Sequence, residues 1–191
     1  MAANPIAETL AMLWSPVLAV TTRHQDRDNG LIATTGVFAS LVPEAPRVLV
    51  ELAKASLTHD LVRASRVFAL HLLPVAPDDA LAASLSLVHA LGMRSGHLGD
   101  KMAAIPARPG VTGSPILADA LTYVEARVVS TLDAGELTIF LADVMEGGRL
   151  REGAPLTISV LRERLPPEWH AEWTANRERQ VAEARRRRSL R

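Results

Sequence analysis

Short runs of apolar and β-branched residues, separated by turn-forming residues, make up most of the hydrophobic pattern of this chain. Such runs are typical of strands that are buried on one or both faces. The predicted strands are residues 17–22, 31–40, 47–52, 67–73, 121–132 and 137–145. About six or seven short strands with few, short helices favour a closed or split β-barrel over a doubly wound α/β sheet.

Turn-forming residues separate the predicted strands. Asn29-Gly30 is typical of a tight hairpin turn, and the turn at residues 133–135 joins the last two strands in a second hairpin. Gly36 interrupts a predicted strand, which indicates a bulge or a close approach of two backbones. The glycine pair at residues 147–148 predicts a further turn.

The predicted helices are few and mostly short. Apolar residues at helical spacing predict a helix over residues 78–91. Two shorter helices are predicted over residues 58–64 and from Asn4-Pro5 to about Trp14, where asparagine caps the first turn and proline occupies it. These helices would flank the barrel rather than form a layer of their own.

The second half of the chain contains a long loop and a closing helix. Glycine and proline are frequent over residues 92–114, and loops of this length in compact domains usually serve a site or a partner. Residues 1–165 are predicted to form one domain. Residues 166–191 are predicted to add a charged C-terminal helix that packs on the barrel or on a partner subunit, with Trp169 and Trp173 on its docking face.

Composition narrows the classes of function. Of the 191 residues, 48% are hydrophobic, and no apolar run reaches the roughly 18 residues of a membrane span. The N-terminal residues lack the pattern of a secretory signal, so we expect a cytoplasmic protein without membrane contact.

The 21 basic and 21 acidic residues balance, and the arginine run at residues 185–188 lacks interleaved aromatic residues, so no nucleic-acid partner is expected. The absence of cysteine excludes disulfides and thiol catalysis, and the six histidines lack metal-ligand spacing.

One segment has the features of an anion site. Lys54, Ser56 and Thr58 place a cation and two hydroxyl groups directly before a predicted helix N-terminus, where unpaired N–H groups and the helix dipole favour a phosphate. On these residues alone a plainer interpretation is favoured. Ser56 and Thr58 could simply cap the helix, and Lys54 could be a solvated strand end.

A second segment is suited to a planar ligand. Ala33, Thr34, Thr35 and Gly36 are small, so a flat ring could approach the backbone closely and receive hydrogen bonds from its N–H groups. An ordinary strand would also explain them. The chain has no Gly-x-Gly-x-x-Gly turn and no βαβ alternation, which argues against a separate dinucleotide-binding domain.

Several segments, in their order and spacing, resemble the flavin reductase-like, FMN-binding split-barrel family. They read PVLAVTT, NGLIATTGVFASLVPEAPRVLVELAKASLTHDL, GDKM and SPILADALTYVEARVVSTLDAGELTIFLADV. The resemblance implies a mainly β fold with flanking helices, namely a homodimeric split barrel that binds FMN. It also implies that the strand after the Asn-Gly turn lies along the flavin ring, and that the loop before Thr-His-Asp-Leu holds the phosphate.

Carried over to this chain, the resemblance implies a set of FMN-binding residues. They are Ala33, Thr34 and Thr35 at the ring, Ser40 near the phosphate or ribityl chain, Lys54, Ser56 and Thr58 at the phosphate, and His59 near the flavin. A structural role for His59 is equally consistent with its position. Two departures stand out: the family often has a histidine after the hairpin turn, where this chain has Leu137, and the loop that commonly reads Asn-Lys-Ser-Ser is here Ala-Lys-Ala-Ser.

The resemblance implies an FMN-dependent NAD(P)H:flavin oxidoreductase. NAD(P)H would act as a transient electron donor that stacks on the flavin, so no catalytic acid, base or nucleophile is expected. Free flavin, ferric iron or a partner oxygenase would receive the electrons. Leu137 favours an alternative, a flavin-binding protein or electron carrier without NAD(P)H activity, and the depleted loop leaves open a preference for a deazaflavin, haem or another ligand. His97 and Lys101 are candidates for closing over the site, against an ordinary exposed loop.

Overall fold

The computed structural model describes residues 16–189, so the predicted helix from Asn4 to Trp14 lies outside the described residues. The strands are β1 Leu18–His24, β2 Arg27–Ala33, β3 Gly36–Phe38, β4 Arg47–Ala53, β5 Val67–Leu72, β6 Ala107–Pro109, β7 Pro115–Leu117, β8 Thr122–Asp133 and β9 Leu137–Arg149. The helices are α1 Leu57–Ser65, α2 Asp78–Val88, α3 Ile158–Arg164 and α4 His170–Ser189, with a π-helical turn at His89–Met93 and a 3₁₀ turn at Pro167–Trp169.

Seven of these strands form one curled sheet in the order β2-β1-β5-β8-β9-β4-β3, and all of its neighbouring strands are antiparallel. β6 and β7 form a separate two-stranded arm. The helices flank the sheet, so the predicted mainly β fold with flanking helices is confirmed. None of the helices within residues 16–189 is both long enough and apolar enough to cross a membrane.

Two apolar cores lie on opposite sides of the sheet. One lies inside the curl, where Val20, Phe68 and Phe140 are fully buried. The other lies between the sheet and the helices around Leu73 and Leu156, and Trp169 and Trp173 pack against it. Period-two alternation in the strands supplies both cores at once, because successive side chains point to opposite faces.

The predicted turn at Asn29-Gly30 is wrong. Both residues lie inside β2, paired with Thr22 and Thr21, and the hairpin turns instead at Gln25, whose φ is 54°. The Asn29 side chain is buried, and its Oδ1 accepts hydrogen bonds from the Gly30 N–H and the Thr58 hydroxyl. The contact between Asn29 and Thr58 fixes the register of the hairpin, and it overrides the tendency of the Asn-Gly dipeptide to form a turn.

The predicted strand over residues 31–40 is two strands. β2 ends at Ala33, Thr34 and Thr35 break the ladder, and β3 begins at Gly36 and pairs with β4. A Cβ at Gly36 would overlap the Leu18 side chain, so the close contact at this glycine is with a side chain and not with a second backbone. The break leaves both threonines exposed at the sheet edge.

Two more predicted boundaries shift. Gly147 and Gly148 continue β9 instead of forming a turn, since Gly147 lies opposite Val124 and its missing Cβ would stand only 3.0 Å from the Tyr123 carbonyl oxygen. The helix predicted over residues 78–91 ends at Val88 and continues as the π-helical turn. That turn presses Leu91 against Gly30, so it brings the loop that follows beside β2.

Buried polar groups anchor the β6–β7 arm to the sheet. The Leu117 N–H donates to Nε2 of the fully buried His71 at 3.2 Å, so the ring proton sits on Nδ1 and is donated to the Ala19 carbonyl, also at 3.2 Å. Burial lowers the pKa of His71 to about 4. Glu125, also buried, accepts hydrogen bonds from the N–H groups of Val111 and Thr112 at 2.9 and 2.8 Å.

Candidate functional site

A cleft of about 320 Å³ opens at the break between β2 and β3. One side, which we call the strand wall, consists of residues 31–35 and 55–58 with neighbouring residues of β4 and β9. The other side, the loop wall, consists of the π-helical turn, residues 94–97, Lys101 and the side of α4 that carries Asn176 and Gln180. Sheet, loop and C-terminal helix thus meet at one concave surface.

The strand wall begins with the small residues at the end of β2. Ala33 is buried, whereas Thr34 and Thr35 are exposed because they lie outside the ladder. The Thr35 carbonyl accepts a long hydrogen bond of 3.5 Å from the Glu51 N–H, which holds the break beside β4. The result is a shallow surface of backbone and small side chains.

The strand wall continues into the N-terminus of α1. Ser56 caps this helix: its Oγ accepts from the His59 N–H at 3.1 Å and donates to the Ala53 carbonyl at 2.8 Å. Its hydroxyl proton is therefore already used. The N–H groups of Leu57 and Thr58 are the ones left without an acceptor inside the helix, and the dipole makes this end positive.

Three of the predicted site residues lie outside the lining of the cleft. The Lys54 ammonium pairs with Asp133 at 2.6 Å, towards the β8–β9 turn. His59 is buried against Phe140, and its Nε2 lies 2.9 Å from the Thr138 hydroxyl. The Ser40 hydroxyl lies 3.0 Å from the Val42 N–H, which donates to it. The structure brings the other predicted residues to the cleft, namely Ala33, Thr34, Thr35, Ser56 and Thr58.

The loop wall contributes positive charge. Arg94 is exposed in the lining, and Lys101 is half-buried with its Nζ donating to the Leu91 carbonyl at 2.8 Å. Burial lowers the pKa of Lys101 to about 8. The loop is fixed by Gly96, whose carbonyl accepts from Arg27 at 3.0 Å and whose Cα packs directly on the Asn29 side chain.

The C-terminal helix completes the loop wall. Nδ2 of Asn176 donates to the Gly92 carbonyl at 2.8 Å, and Arg188 reaches Glu136 in the β8–β9 turn at 2.7 Å. Sequence reasoning missed Arg94, Asn176 and Gln180 as lining residues. A usable signal existed for two of them, since positions 176 and 180 follow Trp173 by three and seven residues and so share its helix face.

The lining of the cleft includes both apolar and charged side chains. Leu137 lines it at the first residue of β9, so the position where a histidine was expected faces the cleft. Glu51 places one carboxylate in the lining, against the cations of Arg94 and Lys101. The arrangement suits an elongated ligand with a flat body and an anionic end.

Comparisons with known proteins agree with this arrangement. The family model for the flavin reductase like domain matches residues 10–163. A high molecular weight rubredoxin of Moorella thermoacetica is 35% identical over 139 residues, which cover 72% of this chain and 57% of the relative, so the chain spans little more than half of that protein. The reductase component of a 4-nitrophenol 4-monooxygenase/4-nitrocatechol 2-monooxygenase of Rhodococcus opacus is 34% identical over 143 residues, 75% of this chain and 70% of the relative.

Among solved structures, the chain is similar to an FMN-binding protein of Thermus thermophilus crystallised with p-hydroxybenzaldehyde. The TM-score is 0.65 at 26% identity, and the match covers 78% of this chain and 79% of the other. The sheet order and the position of the cleft thus accompany a sequence match over most of the described residues. The chain belongs to the flavin reductase-like domain family.

Proposed function

We propose that this protein is an FMN-binding oxidoreductase that takes electrons from NAD(P)H and passes them to free flavin, ferric iron or a partner oxygenase. One observation carries the proposal: residues 33–35 and the first turn of α1, far apart in sequence, line the same cleft. The FMN-binding relative and the monooxygenase reductase component support the cofactor and the type of reaction.

The lining fits FMN in charge and shape. The free N–H groups of Leu57 and Thr58 at a helix N-terminus are suited to the phosphate. Residues 33–35 offer a shallow, small-residue surface to the ring, and Lys101 adds a cation to the same cleft. A second candidate cation, Lys54, would have to leave Asp133 to take part.

The work of the protein in this proposal is binding and orientation. When bound, FMN supplies the hydride- and electron-transfer chemistry. Residues 33–35 hold a flat ligand at a fixed depth, and the loop wall limits the access of water. Lys101 and Arg94 keep the cleft positive, which favours an anionic cofactor over a neutral one. No acid, base or nucleophile is assigned.

We also propose that two copies associate as a split-barrel homodimer. Support comes from an exposed apolar patch on β3 and the loop that follows, where Phe38 is 65% exposed and Leu41 fully exposed. Monomeric proteins rarely expose contiguous patches of this kind. Light scattering should give a mass near twice 20.6 kDa, and Phe38→Asp with Leu41→Asp should shift it to the monomer.

A second function, a flavin-binding electron carrier without NAD(P)H activity, is favoured by Leu137 alone. This side chain lines the cleft but cannot donate a hydrogen bond to a flavin or a nicotinamide. Leu137→His should then create or raise NAD(P)H oxidation without weakening FMN binding. An unchanged rate in this variant would remove the reason for preferring the carrier.

The deciding experiment uses the absorbance spectrum of the purified chain. We expect uptake of one FMN per chain, and bleaching of the visible absorbance of the bound flavin when NADH or NADPH is added without oxygen. FMN uptake without bleaching would leave the carrier function. No uptake of FMN, with uptake of a deazaflavin or haem instead, would reject the proposed cofactor.

A further inference from the structure

A second cavity of about 210 Å³ adjoins the cleft beside α4. We call it the α4 cavity. It lies next to the cleft, because the two share lining residues from β2, the π-helical turn and α4, namely Ile32, Thr34, Gly92, Asn176 and Gln180. A long ligand seated in the cleft would therefore have its far end beside the α4 cavity.

The α4 cavity adds two exposed guanidinium groups, Arg162 on α3 and Arg177 on α4. Within residues 16–189, neither has an ion-pair partner, and no carboxylate lines this cavity. Other arginines of the same helices are engaged: Arg164 lies 3.7 Å from Asp78, and Arg186 pairs with Glu183. The charge in the α4 cavity is thus left for a ligand.

The remaining lining is suited to a nucleotide. The Trp173 indole offers a flat apolar surface, and the Asn176 and Gln180 amides can donate and accept hydrogen bonds. Guanidinium groups bind phosphate oxygens in a two-pronged geometry that ammonium groups cannot match. A molecule with an electron-donating ring at one end and a diphosphate farther along matches the cleft and the cavity together.

We propose that the α4 cavity binds the phosphate groups of a pyridine dinucleotide, with Arg162 and Arg177 as the binding residues. This inference rests on the proposed function, since it needs the dinucleotide to donate electrons in the adjoining cleft. The family model ends at residue 163, so α4 with Arg177 lies outside the matched residues. In this proposal the C-terminal helix α4 helps to bind the dinucleotide that donates the electrons.

Calorimetric titration of the FMN-loaded protein with NADP⁺ and with NAD⁺ tests the proposal without turnover. Arg162→Gln and Arg177→Gln should each weaken dinucleotide binding about tenfold, the usual size for one charged hydrogen-bonding group. Loss for both dinucleotides assigns the arginines to the diphosphate, and loss for NADP⁺ alone assigns them to the 2′-phosphate. Wild-type affinity should also fall as salt rises, more steeply than that of either variant.

Arg164→Gln and Arg186→Gln are the matched controls, because each removes one charge from α3 or α4 without touching the cavity. Both should bind dinucleotide as the wild type does, and all four variants should retain FMN affinity. Unchanged dinucleotide affinity in the cavity variants, or weakening of a second FMN equivalent alone, would overturn the proposal. A wild-type protein that binds no FMN would refute the proposed function instead, and so the two failures are distinct.

Discussion

The two walls of the cleft are built in different ways. The strand wall belongs to an antiparallel sheet and a capped helix, so backbone hydrogen bonds fix most of its residues, apart from the break at Thr34 and Thr35. The loop wall is fastened by single polar contacts to backbone carbonyls, made by Lys101 to Leu91 and by Asn176 to Gly92. The strand wall therefore determines where a cofactor can lie. The loop wall can gain or lose contacts with a ligand through single substitutions.

The comparison extends to charge. On the strand wall, positive potential comes from the backbone of α1, which no side-chain substitution removes. On the loop wall it comes from the side chains of Arg94 and Lys101, which a substitution can remove and whose positions depend on the loop. Changes in the strand wall and its sheet should therefore lower the stability of the fold. Changes in the loop wall should lower the affinity of the cleft for its ligands.

The largest effect should come from acid, and it should fall on the scaffold. Neutral His71 is fixed by two hydrogen bonds, and its pKa is about 4 in the folded protein and near 6.5 in the unfolded chain. Above pH 6.5 the His71 ring is neutral in both the folded and the unfolded state, so it does not make stability depend on pH. As pH falls from 6.5 to 4, only the unfolded state gains the proton, and about 3 kcal/mol of stability should be lost.

Urea unfolding at pH 7, 5.5 and 4.5 measures this loss. His71→Gln should be less stable at pH 7 but should depend less on pH across the same window. Replacing an exposed histidine of the loop wall, His97→Gln, should leave the wild-type pH dependence intact. An equal dependence in the His71 and His97 variants would assign the acid sensitivity to other groups.

Gly96→Ala should disrupt the packing of the loop wall against the strand wall. A Cβ at this position would overlap the Asn29 side chain, which also accepts from Thr58 at the start of α1. Overpacking of this kind costs about 1–3 kcal/mol, so FMN affinity should fall about tenfold or more as residues 94–97 move away. Gly99→Ala is the control in the same loop, because its Cβ would have no neighbour within 4 Å.

Equal FMN affinity in the Gly96 and Gly99 variants, measured by fluorescence quenching of FMN, would show that the loop adapts. It would also mean that the two walls bind the cofactor independently. The unfolding free energy of the Gly96 variant should fall by no more than this overpacking cost, since the loop lies outside the sheet, and the Gly99 variant should keep wild-type stability and affinity.

The strand wall was largely predictable, whereas on the loop wall the sequence offered only His97 and Lys101 as candidates, and both line the cleft. The Ser56 cap, the small residues at 33–35 and the strands have local signals in the sequence. The turn at Asn29-Gly30 was mispredicted because a distant contact with Thr58 buries Asn29 inside β2. Docking of Asn176 on Gly92 joins segments that are 84 positions apart, and the spacing of Asn176 from Trp173 indicates its helix face but not this partner.

Lys101→Gln compares Lys101, which lines the cleft, with Lys54, which the sequence predicts to bind the phosphate. The ammonium form of Lys101 attracts an anionic phosphate, and its pKa is about 8, so wild-type FMN affinity should fall as pH rises above 8. The variant should bind about tenfold more weakly at pH 7 and should lose this alkaline dependence. Lys54→Gln, which breaks an ion pair outside the lining, should have a smaller effect. The opposite ranking would support the phosphate role predicted for Lys54.

The smallest effect should come from Arg188→Gln at the far end of α4. Arg188 and Glu136 form an exposed ion pair that joins this helix to the β8–β9 turn, and such pairs contribute little in water. FMN and dinucleotide affinities should change by less than about threefold, while amide hydrogen exchange should quicken in the last turns of α4 and stay unchanged near Asn176. Arg186→Gln, whose partner Glu183 lies on the same helix, should leave both readouts at wild-type values. A large loss of affinity in the Arg188 variant alone would mean that this contact, and not the polar contacts nearer the cleft, holds α4 in place.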